Sequence, residues 1–195
     1  MGRFFSGLDR SRCSYFRKVI MRCLILCAGL GTRLRPMTDT IPKCMVNIAG
    51  KPCLQRIVDY LASFEVTEVI VNVHHHYQQI VEYFGNRLLY SYEPELLGEA
   101  ETEKRLQPWL GDEYIVINGD TLTDLDFNRL KEVATQIGKC TIESWEKVYT
   151  GAKMVLKNAP IEKYHFGCYW QDIGTPEGLE KARKYYGERS LLPKV

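Results

Sequence analysis

The sequence predicts an α/β protein of three layers, with helices covering both faces of a mostly parallel, mixed central sheet. Three observations predict it. The runs from Cys23 to Ala28 and Tyr114 to Ile117 are short and apolar, as strands buried in a sheet are, and Val66 to Val73 is β-branched with few breaks. Between them, Pro52 to Phe64 sets Leu54, Ile57, Val58 and Leu61 at helical spacing, and Tyr77 to Phe84 repeats it with Ile80, Val81 and Phe84. Strands and helices therefore alternate, and strands joined through helices lie parallel in one sheet, giving a Rossmann-like architecture.

The elements follow in order. Residues 1–20 are basic and aromatic without a clear period; they are expected to form a disordered extension, with a basic membrane-surface arm as the functional alternative. The folded domain is expected over 21–187 and a short tail over 188–195. After the first strand comes a loop from Gly29 to about Lys43. Leu88 to Tyr92 is a short strand and Gly98 to Leu110 a helix. Beyond Asp120 the pattern predicts a helix near Phe127 to Thr135, strands at Cys140 to Ser144 and Thr150 to Leu156, and a final helix. That helix is well marked: Thr175 suits its cap, Pro176 its first position and Glu177 its dipole, ahead of Leu179, Ala182, Tyr185 and Tyr186.

Composition narrows the function. A chain of 195 residues suits one domain, and 45% hydrophobic with 26% charged residues excludes disordered, collagen-like and coiled-coil chains. A formal net charge of +2, with no basic run interleaved with aromatics inside the domain, argues against nucleic acid. The seven cysteines are odd in number, scattered and without a CxxC pair, so they read as buried, reduced thiols rather than zinc ligands. With no apolar stretch of about 20 residues and no long apolar secretion core, a soluble cytoplasmic protein without a membrane span is expected.

The chemistry concentrates where strands end. Gly29-Leu30-Gly31-Thr32-Arg33-Leu34 follows a buried strand, which puts its backbone at the carboxyl edge of the sheet, where open α/β folds bind ligands. Glycines let main-chain N–H groups approach phosphate oxygens, and an adjacent Arg can grip two oxygens. The loop is neither GxxxxGK[ST] nor GxGxxG, because Leu34 replaces the third glycine. A second buried strand ends in Asn118-Gly119-Asp120, setting a carboxylate at the same edge. Magnesium needs only one or two such carboxylates when substrate phosphates supply further oxygens. His74, His75 and His76 are consecutive, so their side chains alternate in direction and lack metal-ligand spacing; a strand-end role is expected.

The stretch Gly29-x-Gly31-Thr32-Arg33-Leu34-x-Pro36-x-Thr38-x-x-x-Pro42-Lys43 resembles the signature of the sugar-1-phosphate nucleotidylyltransferases. Trp170-x-Asp172-x-Gly174-Thr175 resembles the late metal-binding segment of the same family, and Glu93-Pro94-Glu95-Leu96-Leu97-Gly98 its base-reading segment. The resemblance implies a glycosyltransferase-A-like nucleotidylyltransferase fold, a nucleoside triphosphate and a sugar 1-phosphate as substrates, magnesium as cofactor, and an enzyme of nucleotide-sugar synthesis that can assemble as a homo-oligomer. It further implies that Ala28, Gly29, Gly31, Thr32 and Arg33 hold the nucleotide, Arg33 stabilising the leaving pyrophosphate. Glu93 and Gly98 would read the base, Lys43 and Asn118 would meet the second substrate, and Asp120 with Asp172 would hold the metal.

Where the family carries a long middle stretch with a Glu-Lys-Pro motif, only about fifty residues separate Asp120 from Trp170 here. Glu146-Lys147 ahead of Gly151 reads either as a remnant of that motif or as a solvated charge pair. Glu99 also departs from the family, which has a small or hydroxyl residue there. Two alternatives follow from these departures. One is a choline-phosphate cytidylyltransferase, whose cationic substrate Trp145, Tyr149, Tyr164 and Tyr169 would cage. The other is a catalytically silent regulatory subunit that binds nucleotide sugar.

Overall fold

In the computed structural model, which describes residues 21–129, 139–144, 147–156, 161–165 and 168–190, eleven strands and four long helices follow one another. They are β1 (Arg22–Leu26), β2 (Asn47–Ile48), β3 (Lys51–Pro52), α1 (Cys53–Ala62), β4 (Glu68–Val73), α2 (Tyr77–Phe84), β5 (Leu89–Tyr92) and α3 (Glu99–Leu110) in the first half. The second half adds β6 (Glu113–Asn118), β7 (Thr121–Thr123), β8 (Lys139–Ser144), β9 (Lys147–Leu156), β10 (Ile161–His165), β11 (Trp170–Asp172) and α4 (Pro176–Ser190).

The main sheet runs β10-β8-β9-β6-β1-β4-β5. Strands β5, β4, β1 and β6 are mutually parallel, β9 is antiparallel to β6, and β8 and β10 complete the mixed edge. Cys23, Leu24 and Ile25 of the central β1 are fully buried. Alternation along the strand divides them between two cores: Cys23 and Ile25 pack with α1 and α2 residues such as Leu54, Ile57 and Ile80. Leu24 packs on the opposite face with Val116 and with Leu106, Trp109 and Leu110 of α3. Helices on both faces make the three layers the sequence predicts.

Register positions the site. Leu26 pairs with Asn72 on one side and Asn118 on the other, so β1, β4 and β6 end at one level, and Val73 brings Tyr92 of β5 to the same edge. Everything that follows these strands, from Cys27, from Glu93 and from Gly119, lies along that single carboxyl edge.

Several boundaries differ from the sequence reading for local reasons. Strand β1 stops at Leu26 rather than Ala28, because the Cys27 N–H leaves the ladder and donates to the Asn72 side chain at 2.7 Å. Helix α1 ends at Ala62, after which Glu65 takes a left-handed turn at φ 60 and delays β4 to Glu68. Strand β9 starts at Lys147, three residues ahead of the expected Thr150, and β2, β3, β7, β10 and β11 are additional. Residues 127–129 are helical, whereas the rest of the helix expected near Phe127 to Thr135 and the extension over 1–20 lie outside the described residues. Thr175 caps α4 as expected, accepting from the Gly178 N–H at 3.1 Å. Among the described residues no helix is long and apolar enough to cross a membrane.

Candidate active site

The glycine loop is a chain of short turns, each pinned by one buried residue. Gly31 adopts the left-handed region at φ 65, and a Cβ there would come within 2.9 Å of both Lys43 Cβ and Thr38 Cγ2; only glycine satisfies the turn and the space. Its carbonyl accepts from the Leu34 N–H at 2.9 Å and from the buried Thr38 hydroxyl at 2.8 Å. Thr38 of the motif is therefore a structural tie. Leu34 is buried and Arg33, one residue earlier in the same turn, projects outward. The same alternation fixes Lys43, which opens a turn whose next residue, Cys44, is buried.

Two carboxylates meet these cations. Strand β7 follows Asp120 directly and pairs antiparallel with β11, setting Thr121 opposite Asp172, while the Ile173 N–H donates to the Asp120 carbonyl at 2.9 Å. Asp120 is paired with the Lys43 ammonium, both side chains being mostly buried. Asp172 Oδ1 accepts the Gly174 N–H, and its Oδ2 lies 3.8 Å from Arg33 Nη2. A Cβ on Gly174 would stand 2.7 Å from each of Arg33 Nη2, Asp172 Oδ1 and Lys43 Nζ. Three charged groups from three segments thus converge on one glycine.

Partial burial raises the Asp172 carboxyl above the ordinary carboxylate range, and the neighbouring Asp120 charge raises it further, opposed by the Gly174 N–H, Lys43 and Arg33. Two mutually repelling carboxylates at a sheet edge fit a hard divalent cation that takes its remaining oxygens from water and phosphate. Among the described residues no group of three His, Cys, Asp or Glu side chains gathers to hold a metal unaided.

A cleft of about 330 Å³ opens beside this centre, its walls including Ala28, Gly29, Lys43, Glu93, Gly98, Asn118 and Asp120. With that geometry, a model of the nucleotidyl transferase family matches residues 22–145. The chain belongs to the nucleotidyl transferase family. It is 41% identical over 116 residues to the D-glycero-alpha-D-manno-heptose 1-phosphate guanylyltransferase of Campylobacter jejuni, a match covering 57% of this chain and 52% of that one. It is 37% identical over 231 residues to the bifunctional protein GlmU of Methanocaldococcus jannaschii, covering 90% of this chain and 55% of the other. That alignment is longer than the 195 residues present here, so the relative carries additional residues within the matched region, in keeping with a short middle. The crystal structure of HddC from Yersinia pseudotuberculosis superposes with a TM-score of 0.74 at 23% identity, over 85% of this chain and 99% of that one. The chain spans about half the length of the curated relatives it matches.

In this member of the nucleotidyl transferase family the residues singled out from the sequence divide into three groups. Arg33, Lys43 and Asp172 come together at Gly174, with Asp120 joined to Lys43, and Lys43 and Asp120 also line the cleft with Ala28, Gly29, Glu93, Gly98 and Asn118. Gly31 and Thr32 shape the turn that carries Arg33. Glu146 lies outside the described residues; Lys147 and Gly151 belong to β9, where Ala152 pairs with Ile117 and so brings Gly151 to the same strand end as Asn118. Of the aromatic residues, Trp145 and the side chains of Tyr149 and Tyr164 lie outside the described residues, and Tyr169 stacks on Tyr185 with centroids 3.7 Å apart.

Glu93 lines the cleft, yet it is 1% exposed and its carboxyl is fully engaged. Oε1 accepts from Asn72 Nδ2 at 3.0 Å and from the Thr102 hydroxyl at 2.5 Å, and Oε2 from the Leu97 N–H at 3.3 Å. Asn72 in turn accepts the Cys27 N–H. This network joins β1, β4, the β5–α3 loop and α3, and sequence reasoning missed both Asn72 and Thr102. The signal available was a single amide inside the run Val69-Ile70-Val71-Asn72-Val73, since a buried polar group in an apolar strand has partners. The histidines hold strand-end positions: His74 Nδ1 meets the Glu93 carbonyl at 2.8 Å and His76 Nε2 the Asp39 carbonyl at 2.9 Å.

Proposed function

We propose that the chain acts in sugar-1-phosphate nucleotidyl transfer: a nucleoside triphosphate and a sugar 1-phosphate give a nucleoside diphosphate sugar and pyrophosphate. What supports this reading is one observation, the convergence of Arg33, Lys43 and Asp172 on Gly174 with Asp120 paired to Lys43, at the edge where α/β folds bind nucleotides.

An ionised phosphomonoester oxygen attacks the α phosphorus in line without a general base, so catalysis reduces to positioning and charge. Magnesium, held by Asp120 and Asp172, would neutralise charge on the α phosphate. Lys43 has three donors, enough to keep Asp120 and still take an oxygen of the incoming phosphate. Arg33, on a turn closed by Thr38 and Leu34, steadies the leaving pyrophosphate together with the loop amides from Ala28 to Thr32. Glu146, Lys147 and Gly151, after β8, remain candidates for the sugar end.

The test is pyrophosphate release with magnesium, pairing each nucleoside triphosphate with a panel of sugar 1-phosphates and phosphocholine. Release with one sugar phosphate, falling at least about 100-fold in Asp120→Asn, is the expected result. Release with phosphocholine alone would move the reading to an amino-alcohol phosphate. Binding of nucleotide without release would leave a regulatory subunit.

A further inference from the structure

We propose that Asn72 is a positioning residue that sets the distance between the glycine loop and the 93–98 loop, so that one nucleotide can span both; the reading rests on the nucleotide-binding function argued above. The cleft takes Cys27, Ala28 and Gly29 from the first segment and Glu93 and Gly98 from the second. Both segments leave the sheet at Asn72. Leu26 faces Asn72 in the β1–β4 register. Just past it the Cys27 N–H donates to Asn72 Oδ1 at 2.7 Å, while the Leu26 carbonyl accepts from the Gly119 N–H at 2.9 Å. The glycine loop therefore starts from a point held on both sides. On the other side of the same amide, Nδ2 donates to Glu93 Oε1 at 3.0 Å. Glu93 opens the second segment: its N–H donates to the Val73 carbonyl at 2.9 Å, and its Oε2 accepts from the Leu97 N–H at 3.3 Å, which folds the loop back on the carboxyl. Two hydrogen bonds through one planar group, 4% exposed and so shielded from solvent, join the two segments.

The place calls for an amide. The Cys27 N–H needs an acceptor and the Glu93 carboxylate a donor, and the asparagine side chain carries one of each on a single carbon. The two partners also settle which way the amide faces. A carboxylate in its place would keep the acceptor for Cys27 but set two like charges together, and an apolar side chain would leave both partners unpaired. The consequence for binding is selective. A ligand that touches one segment gains nothing from their spacing. A nucleoside triphosphate carries its two ends together, and a cleft already set to that span binds it without the cost of ordering two loops.

The test compares the full native chain with Asn72→Asp, Glu93→Gln and the double variant, in which donor and acceptor trade places and the net charge is unchanged. Calorimetry measures two ligands: the magnesium complex of whichever of GTP, ATP, UTP, CTP and dTTP the native protein binds most tightly, and magnesium tripolyphosphate, which reaches the glycine loop alone. Thermal melting shows which variants fold. Either single change should weaken the nucleotide at least about tenfold and the tripolyphosphate less than about twofold, because Cys27 keeps its acceptor while the link to Glu93 is mismatched. The double variant should regain most of the nucleotide affinity. A general loosening of the sheet edge would weaken both ligands alike, and that result overturns the proposal, as does an unchanged nucleotide affinity in Asn72→Asp. Where a single variant fails to fold, the double variant decides: folded with near-native nucleotide affinity it supports the role of Asn72, and unfolded or still about tenfold weaker it overturns it. These outcomes leave nucleotide binding standing, whereas folded native protein that binds no nucleotide overturns that reading and this inference with it.

Discussion

The two ends of the cleft, one proposed to hold magnesium and the other expected to read the base, are built on opposite plans. At the metal end, charged side chains meet at a glycine, and two of them stay near water: Arg33 is 55% and Asp172 34% exposed at the side chain, beside the mostly buried Lys43–Asp120 pair. At the base end, an acid 1% exposed is closed in by an amide, a hydroxyl and a main-chain N–H. The first arrangement can exchange partners, because charges near water are cheaply re-paired. The second cannot, because a buried polar group that loses its partner has no water to turn to. The metal end is thus suited to passing phosphates and a cation, and the base end to keeping a wall in place.

The largest expected effect follows at the base end. Glu93→Leu strands Asn72 Nδ2, the Thr102 hydroxyl and the Leu97 N–H, and at about 1–3 kcal/mol for each buried unsatisfied group it should cost about 3–5 kcal/mol of stability. Urea unfolding measures it. Because the network ties β1 to α3, weaker nucleotide binding should accompany the loss. A change below about 1 kcal/mol would mean that the wall is not held this way.

Gly174→Ala probes the other plan, and the contrast sharpens it. The atoms a Cβ would strike are the far ends of Arg33, Asp172 and Lys43, which can swing aside, so the fold should tolerate the change. Catalysis should not, since displacement of about 1 Å at reacting groups costs about 100-fold. The expected outcome is a melting temperature near that of the native protein and pyrophosphate release reduced about 100-fold. Unfolding of the variant would show that the two ends obey the same rule after all.

How far the sequence revealed each end follows from the same difference. Three charged residues of the metal end are readable from local pattern, Arg33 and Lys43 in the glycine loop and Asp120 after a buried strand, whereas Asp172 is readable only through the resemblance of Trp170-x-Asp172-x-Gly174-Thr175 to the family's segment. Even so, their meeting depends on the β7–β11 ladder, two three-residue strands too short to carry a period. The parallel centre of the sheet was legible from its apolar runs, whereas β10 and the early start of β9 were not, because Glu162, Lys163 and Lys147 interrupt any apolar pattern. At the base end the opposite holds. The sequence singles out Glu93, but its commitment to Asn72 and Thr102 is a contact across 21 and 9 residues, and nothing local in the sequence states it.

A smaller effect is expected at Gly31, where Gly31→Ala forces a Cβ into the left-handed region and within 2.9 Å of Lys43 and Thr38. The conformational cost alone is about 1–2 kcal/mol, and relief of the contact pushes the Lys43 stem. Reduced stability together with weakened triphosphate binding, read by denaturation and calorimetry, is the outcome that fits. Loss of stability without any change in binding would separate the turn from the phosphates it is taken to cradle.

Thr175→Ala should have the smallest effect and tests whether the metal end depends on the helix behind it. Thr175 accepts the Gly178 N–H at 3.1 Å, and a lost cap of this kind costs about 1 kcal/mol. Its neighbour Gly174 donates to Asp172, so fraying of the first turn of α4 would loosen Asp172 while Asp120, held by Lys43, stays put. If the metal end draws its order from α4, the variant should need more magnesium for half-maximal pyrophosphate release at unchanged affinity for the nucleotide. If only stability falls, the β7–β11 ladder alone holds Asp172, and the helix merely covers it.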